Sequence, residues 1–245
     1  MEKVIEGVLP VAKSSGVLSA KVVNRVKKVL KREGIIAKVG HGGTLDKFAS
    51  GLILVLLGRA TKLFERIKSL PKLYVATVKF GEVRTTDDIN GEVLKYYPVS
   101  DITRKSVEDA LMNFEGEILQ VPPAFSAVHI NGQRAYQIAK KDYYRALKFL
   151  KPKRVIIYDI RLLDFYPQNL EAKIFVKCSG GTYIRALARD LGQILGIGAF
   201  LKELKREAIG NVSLDSAIPF YELSNVDSIT ANIISIGKFI KLNNL

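Results

Sequence analysis

Asp46 is the side chain of this sequence best placed to do chemistry. It ends the stretch Gly40-His41-Gly42-Gly43-Thr44-Leu45-Asp46 and precedes the apolar run Leu52 to Leu57. Glycines let a backbone approach a ligand closely, so a carboxylate just after them can meet a reacting group. An acid at such a place can equally be a helix N-cap, which is the commoner role, and the residues alone leave both readings open. Other chemistries find little support. Two histidines and one cysteine do not readily make a metal site, and no Walker loop, dinucleotide fingerprint or HExxH helix occurs.

The elements that would position Asp46 follow from periodicity. From Ser19, read as an N-cap, Val22, Val23, Val26, Val29 and Leu30 mark one face of a helix that Gly34 stops. Its remaining surface holds Lys21, Arg25, Lys27, Lys28, Lys31 and Arg32, best read as a solvated face. Leu52 to Leu57 reads as a buried strand. Tyr74, Ala76, Val78 and Phe80 alternate with polar or outward positions, as do Leu170, Ala172, Ile174, Val176 and Cys178, and Val155 to Phe165 is a third strand. Helices are expected around Val107 to Phe114 and from Ile184 to Leu195. Strands and helices mix without βαβ alternation, which predicts an α+β fold around a mainly antiparallel mixed sheet flanked by helices.

Charge points to the partner. Lys and Arg number 38 against 24 Asp and Glu, a net of +14, which suits a polyanion. Beyond residue 212 only Lys238 and Lys241 face Asp215, Glu222 and Asp227, so the basic excess belongs to the main body. A basic stretch at about 122–154 stands out. From His129 to Arg154 it holds eight Lys and Arg against Asp142 alone, with Tyr136, Tyr143, Tyr144 and Phe149 interleaved. Cations pair with phosphates and aromatic faces stack on unpaired bases, so the mixture suits an RNA-binding insertion; an amphipathic helix with inward aromatics is the other reading. A single cysteine fits a reducing cytoplasm, and neither a secretory signal nor an apolar run of membrane-spanning length is evident.

Five ordered blocks give the sequence a resemblance. GHGGTLDKFASGLILVLLGRATK is similar to the signature of TruB-type pseudouridine synthases, with Gly42 where the family commonly has Thr and Lys47 where it has Pro. Lys13, Gly16 and Ser19 resemble an N-terminal KPxGxTS motif, departing at Ser14 and Leu18. Lys72-Leu73-Tyr74 with Gly81 and TTDDING resembles the Tyr-bearing strand and its following turn. FEGEILQVPPAFSAVHINGQRAYQIAKK and CSGGTYIRALARDLGQILGIGAFLKELKR resemble two further blocks, with His129, Gly180 and Lys205 as substitutions. Together they cover most of residues 7 to 210.

The resemblance implies a pseudouridine synthase fold and isomerisation of uridine in a tRNA T loop, at position 55, with no cofactor and no metal. It implies Asp46 as the essential carboxylate, Arg185 as its ion-pair partner, and Tyr74 stacked on the extruded uracil near C5. His41 and Leu204 match residues that touch RNA or line the pocket, and Lys62 and Tyr183 match positions beside it. Residues 1–215 are then the catalytic domain, and 216–245 a short segment resembling a truncated remnant of a PUA-like domain. A cytoplasmic monomer acting on the T-stem loop is expected. Two rivals remain: a guide-RNA-dependent rRNA-modifying relative, and a non-enzymatic RNA-folding factor that would have no need of Asp46.

Overall fold

A computed structural model of the protein describes residues 5–99 and 101–245. The chain opens with β1 (Gly7–Lys13), α1 (Ser19–Arg32), β2 (Val39–His41), β3 (Ser50–Leu57), α2 (Phe64–Ser69) and β4 (Lys72–Phe80). Next come β5 (Glu82–Arg84), β6 (Val93–Tyr96), α3 (Arg104–Leu111), β7 (Gly116–Gln120), β8 (His129–Ile130), β9 (Gln133–Arg134), α4 (Ala135–Ala139) and α5 (Tyr143–Phe149). The remainder is β10 (Lys153–Tyr166), β11 (Glu171–Cys178), α6 (Ile184–Ile194), β12 (Ala199–Ile209), β13 (Val212–Ser213), β14 (Ile218–Pro219), α7 (Val226–Thr230) and α8 (Ile236–Asn243). Two compact units result: Met1–Tyr74 with Lys205–Leu245, and Val75–Leu204. Strands and helices mix as an α+β fold whose pairings are mostly antiparallel, with β1–β14 and β3–β12 parallel.

In the first unit β3 is central, with β1 antiparallel on one side and β2 and the Lys205–Arg206 part of β12 on the other. A strand covered on both faces has no polar side to show, which is why its sequence is a continuous apolar run. Its period of two still sorts the residues. Ile53, Val55 and Leu57 join Leu9 and Val11 under the valine face of α1, together with Leu223, Val226 and Ile229. Leu52, Leu54 and Leu56 face the opposite way, onto Ala60, Leu63, Ile67 and Phe239. Residues 216–245 thus supply apolar groups to both layers of this unit.

Between β2 and β3, residues 42–49 form the loop that bears Asp46. Every backbone carbonyl from Gly43 to Ala49 has a donor. Arg206, only 2% exposed, serves Thr44 (3.2 Å), Gly43 (3.3 Å) and also Leu52 (2.7 Å). Lys13, equally buried, reaches Lys47 (3.4 Å) and Ala49 besides Val17 (2.8 Å) and Ser14 (3.0 Å). The Ser15 hydroxyl donates to Phe48 O, the Gly16 N–H to Lys47 O, and the Ala49 N–H to Asp46 O. Leu45 is held twice by Ser19, whose hydroxyl donates to its carbonyl (2.7 Å) and accepts from its N–H (3.0 Å). That corrects the reading of Ser19 as an N-cap: Leu18 occupies the cap and Ser19 is the first helical residue. A buried peptide needing both a donor and an acceptor outcompetes the local cap. Where the loop rejoins β3, Gly51 has φ +110° and a Cβ there would stand 2.3 Å from Arg206 O, so no other residue allows that approach.

In the second unit β11 lies between β4 and β10, and β10 pairs antiparallel with both β11 and β7. α3 packs on β10 and on α6. Alternation is as expected, with Ala172, Ile174, Val176 and Cys178 buried. The basic stretch differs from a single amphipathic helix: it forms the β8–β9 hairpin with α4 and α5, built on Ala124, Ile130, Ala135, Ala139, Ala146 and Leu150. Tyr143 packs against this cluster, whereas Tyr144, Phe149, Lys140, Lys141, Arg145 and Lys148 are exposed.

Lys13→Met keeps the stem and removes the donor of four carbonyls. It should lower unfolding free energy by about 3 kcal/mol, the scale of stranded buried acceptors. Urea denaturation checks this, and an unchanged midpoint would show that the loop does not depend on the ammonium.

Candidate active site

Asp46 is partly exposed at the turn of the 42–49 loop, where Ala49 closes onto its carbonyl. Its carboxylate lies in a positive field. The Lys13 ammonium is pushed down to about 8, first by burial and then by the nearby Arg206 charge, while Asp46 pulls it the other way. His41 shares the loop's entry, and its Nδ1 accepts from the Gly43 N–H at 3.3 Å. Burial and then Arg206 lower its pKa, which keeps the imidazole neutral. At Gly42 a Cβ would come within 2.6 Å of the Ile67 side chain, so a larger residue there requires Ile67 to shift. Lys62 is exposed in the 3-10 turn Gly58–Leu63, and Tyr74 is buried on the inward face of β4.

The second unit holds Arg185, Tyr183 and Leu204. Arg185 is buried in the first turn of α6. Its guanidinium donates to Thr86 O (2.9 Å) and Phe125 O (3.2 Å), and lies 3.5 Å from the Asp88 carboxylate. Tyr183 caps α6 by position, and its backbone is gripped by Gln120. The Gln120 Oε1 accepts from the Tyr183 N–H (2.8 Å) and its Nε2 donates to the Tyr183 carbonyl (3.1 Å). Since Tyr183 offers no side-chain cap, that buried amide satisfies one orphan donor of the helix start. Leu204 is buried in β12.

Sequence reasoning read Gly40 to Gly43 as a loop leading to Asp46, whereas Gly40 and His41 end β2 because they pair with Leu56 and Val55 of β3; Tyr183 and Arg185 stand at the start of α6. It gave no role to Arg206, Gln120 or Asp88, which touch these groups or their loop, nor to Asp87 and Arg189. A signal was present. Asp87-Asp88 follow one another on a turn, and Arg185 and Arg189 stand four apart on a helix whose other inward residues are apolar. No group of three or more His, Cys, Asp or Glu among the described residues is arranged to hold a metal ion, and no described helix is long and apolar enough to cross a membrane.

The family model "TruB family pseudouridylate synthase (N terminal domain)" matches residues 27–184. A relative from Aquifex aeolicus, "tRNA pseudouridine synthase B", is 39% identical over 218 residues, covering 89% of this chain and 73% of that protein. One of the same name from Parabacteroides distasonis is 42% identical, covering 88% of this chain and 89% of its own. Among solved structures, a chain of a Cbf5-Nop10-Gar1 complex aligns with TM-score 0.70 at 26% identity, covering 96% of this chain, which spans only 62% of that one. The fold is thus that of pseudouridine synthases, and the chain belongs to the TruB family of pseudouridylate synthases.

Proposed function

We propose that this pseudouridine synthase isomerises the uridine at position 55 in the T loop of tRNA, acting as a monomer without a guide RNA. Relatives named for tRNA, 39% and 42% identical over nearly nine-tenths of this chain, support that substrate more than the 26% likeness to a Cbf5 chain supports guided rRNA modification. The observation that carries the chemistry is the rigid presentation of Asp46 on a loop whose carbonyls are all satisfied. A preorganised carboxylate loses little entropy on meeting its target.

The isomerisation breaks the N1–C1′ bond, turns the uracil, joins C5 to C1′, releases the proton from C5 and places one on N1, so nothing is gained or lost overall. Asp46 supplies the carboxylate that starts it. Arg185, by resemblance, aims that carboxylate through a charge-assisted bond. By the same resemblance Tyr74 stacks on the extruded base near C5, and His41, Lys62, Tyr183 and Leu204 are assigned to binding the substrate. Extrusion costs a few kcal/mol, least where the nucleotide already lies in a loop. The exposed cations and rings of α4 and α5 grip the RNA.

Tritium release from C5-labelled uridine in a bare tRNA transcript, followed by mapping of the product, is the direct test. Asp46→Asn should abolish release while RNA affinity stays within a few-fold; residual turnover above background would remove Asp46 from its role. Tyr74→Phe should bind normally and turn over slowly if the hydroxyl acts at C5, and normal turnover in Tyr74→Leu would contradict both roles given to this ring. Binding should weaken steeply with salt through counterion release. Replacing Lys140, Lys141, Arg145 and Lys148 by Ala should flatten the slope, whereas an unchanged slope would return this surface to ordinary solvation.

A further inference from the structure

Helix α6 presents two arginines, one turn apart, that make matching three-way contacts. Arg185 joins the Thr86–Asp88 turn to the carbonyl of Phe125. Arg189 repeats this one turn later. Its Nη1 meets the Asp87 carboxylate at 3.0 Å, its Nη2 donates to Val121 O at 2.8 Å, and its Nε reaches Asp190 at 2.8 Å. Consecutive acids on the turn therefore receive consecutive arginines of the helix, and both arginines also tie down the 121–125 segment that crosses the two prolines. Asp87 is 4% exposed, holds φ at +57°, and its backbone carbonyl accepts from Leu201 N–H at 3.0 Å, so the anchor is fixed on its own account.

We propose that Asp87 and Arg189 form a positioning pair that sets the rotation of α6 and thereby the aim of Arg185 during isomerisation. The inference rests on the catalytic role given to Arg185 above. A helix clamped at one side chain can pivot about it; clamped again four residues or about 6 Å further along, it cannot. Misplacement of a catalytic group by an ångström costs rate far more than binding.

The pair has its own signature in pH. Facing Asp87 are Arg189, Arg185 and Asp190 on α6 and Tyr143 on α5, with Asp88 beside it on the turn. Burial pushes the Asp87 carboxyl up to about 6, against the pull of Arg189 and Arg185, with Asp190 adding to the rise. It is ionised at pH 7.5 and neutral at pH 5. Because its pKa in the folded protein exceeds the ordinary 3.8, the fold takes up this proton more readily than the unfolded chain. This group's contribution to stability is present at low pH and is lost as pH rises from about 4 through 6, so acidification removes the clamp's charge without unfolding the protein through Asp87.

The test measures single-turnover rate and half-saturating RNA concentration from pH 5 to 8, using the full chain and the labelled transcript. The wild type should lose rate along an acid limb with its midpoint near 6. Asp87→Asn should be about tenfold or more slower at pH 7.5 with half-saturation little changed, and should lack that limb. A wild-type rate in Asp87→Asn, or a limb that persists in it, overturns the proposal. Should Asp87→Asn fail to fold, Arg189→Lys serves instead: it keeps the charge and loses the fork, and must lower rate without altering half-saturation. Arg185→Lys, run alongside, separates the two layers of argument. A slow Arg185→Lys beside a normal Asp87→Asn removes only the pair, whereas an unaffected Arg185→Lys removes the reading on which the pair rests.

Discussion

Two buried cations hold the loop on which the rest depends. Lys13 and Arg206 direct hydrogen bonds to the carbonyls of residues 43, 44, 47 and 49 and of the flanking chain. A loop has no ladder to satisfy its backbone, and burying one ordinarily strands polar groups. Charged donors from two strands solve that problem at residues 43, 44, 47 and 49, with Ser15 and Ser19 serving 48 and 45, and leave a positive field at the place where a carboxylate stands. The antiparallel β1–β3 pairing and the parallel contact of β12 with β3 then have a common purpose, since they bring residues 13 and 206 to the same loop.

In the second unit the same device appears with guanidinium groups on a helix. Arg185 and Arg189 convert a turn, a helix and a proline-containing segment into one rigid piece, and Gln120 fixes the helix start from the end of β7. Ion pairs at this depth add little net stability, because desolvation offsets their attraction. Their effect lies in geometry: each guanidinium has a planar set of donors that accepts only one arrangement of partners.

Periodicity made much of this architecture legible in advance. The valine face of α1, the alternation of β4 and β11 and the unbroken apolar β3 all answer to local patterns, because each repeats a burial requirement within a few residues. Asp46 and Arg185 were singled out through motif blocks, and the structure places them on the 42–49 loop and in the first turn of α6. Ser19 was not: by its position it reads as a cap, and only the chain returning at Leu45 claims its hydroxyl. Lys13 and Arg206 were hidden for a related reason. By type they belong to the basic surface that a charge count suggests, yet they are interior, and their partners lie at separations of up to 163 residues that no local window sees.

The full use of carbonyls in residues 43–49 has a bearing on how such a protein can change over time. A loop with one assigned donor per peptide has a fixed length, since an inserted or deleted residue would shift every later carbonyl off its partner. Drift is confined there to side chains that leave the backbone in place. The segment around α4 and α5 is under no such constraint, because its small aliphatic cluster closes on itself and its outward residues are solvent-exposed. Lengthening, shortening or recharging that segment leaves the loop's bonding untouched, so the exposed surface there can vary while the backbone around Asp46 stays fixed.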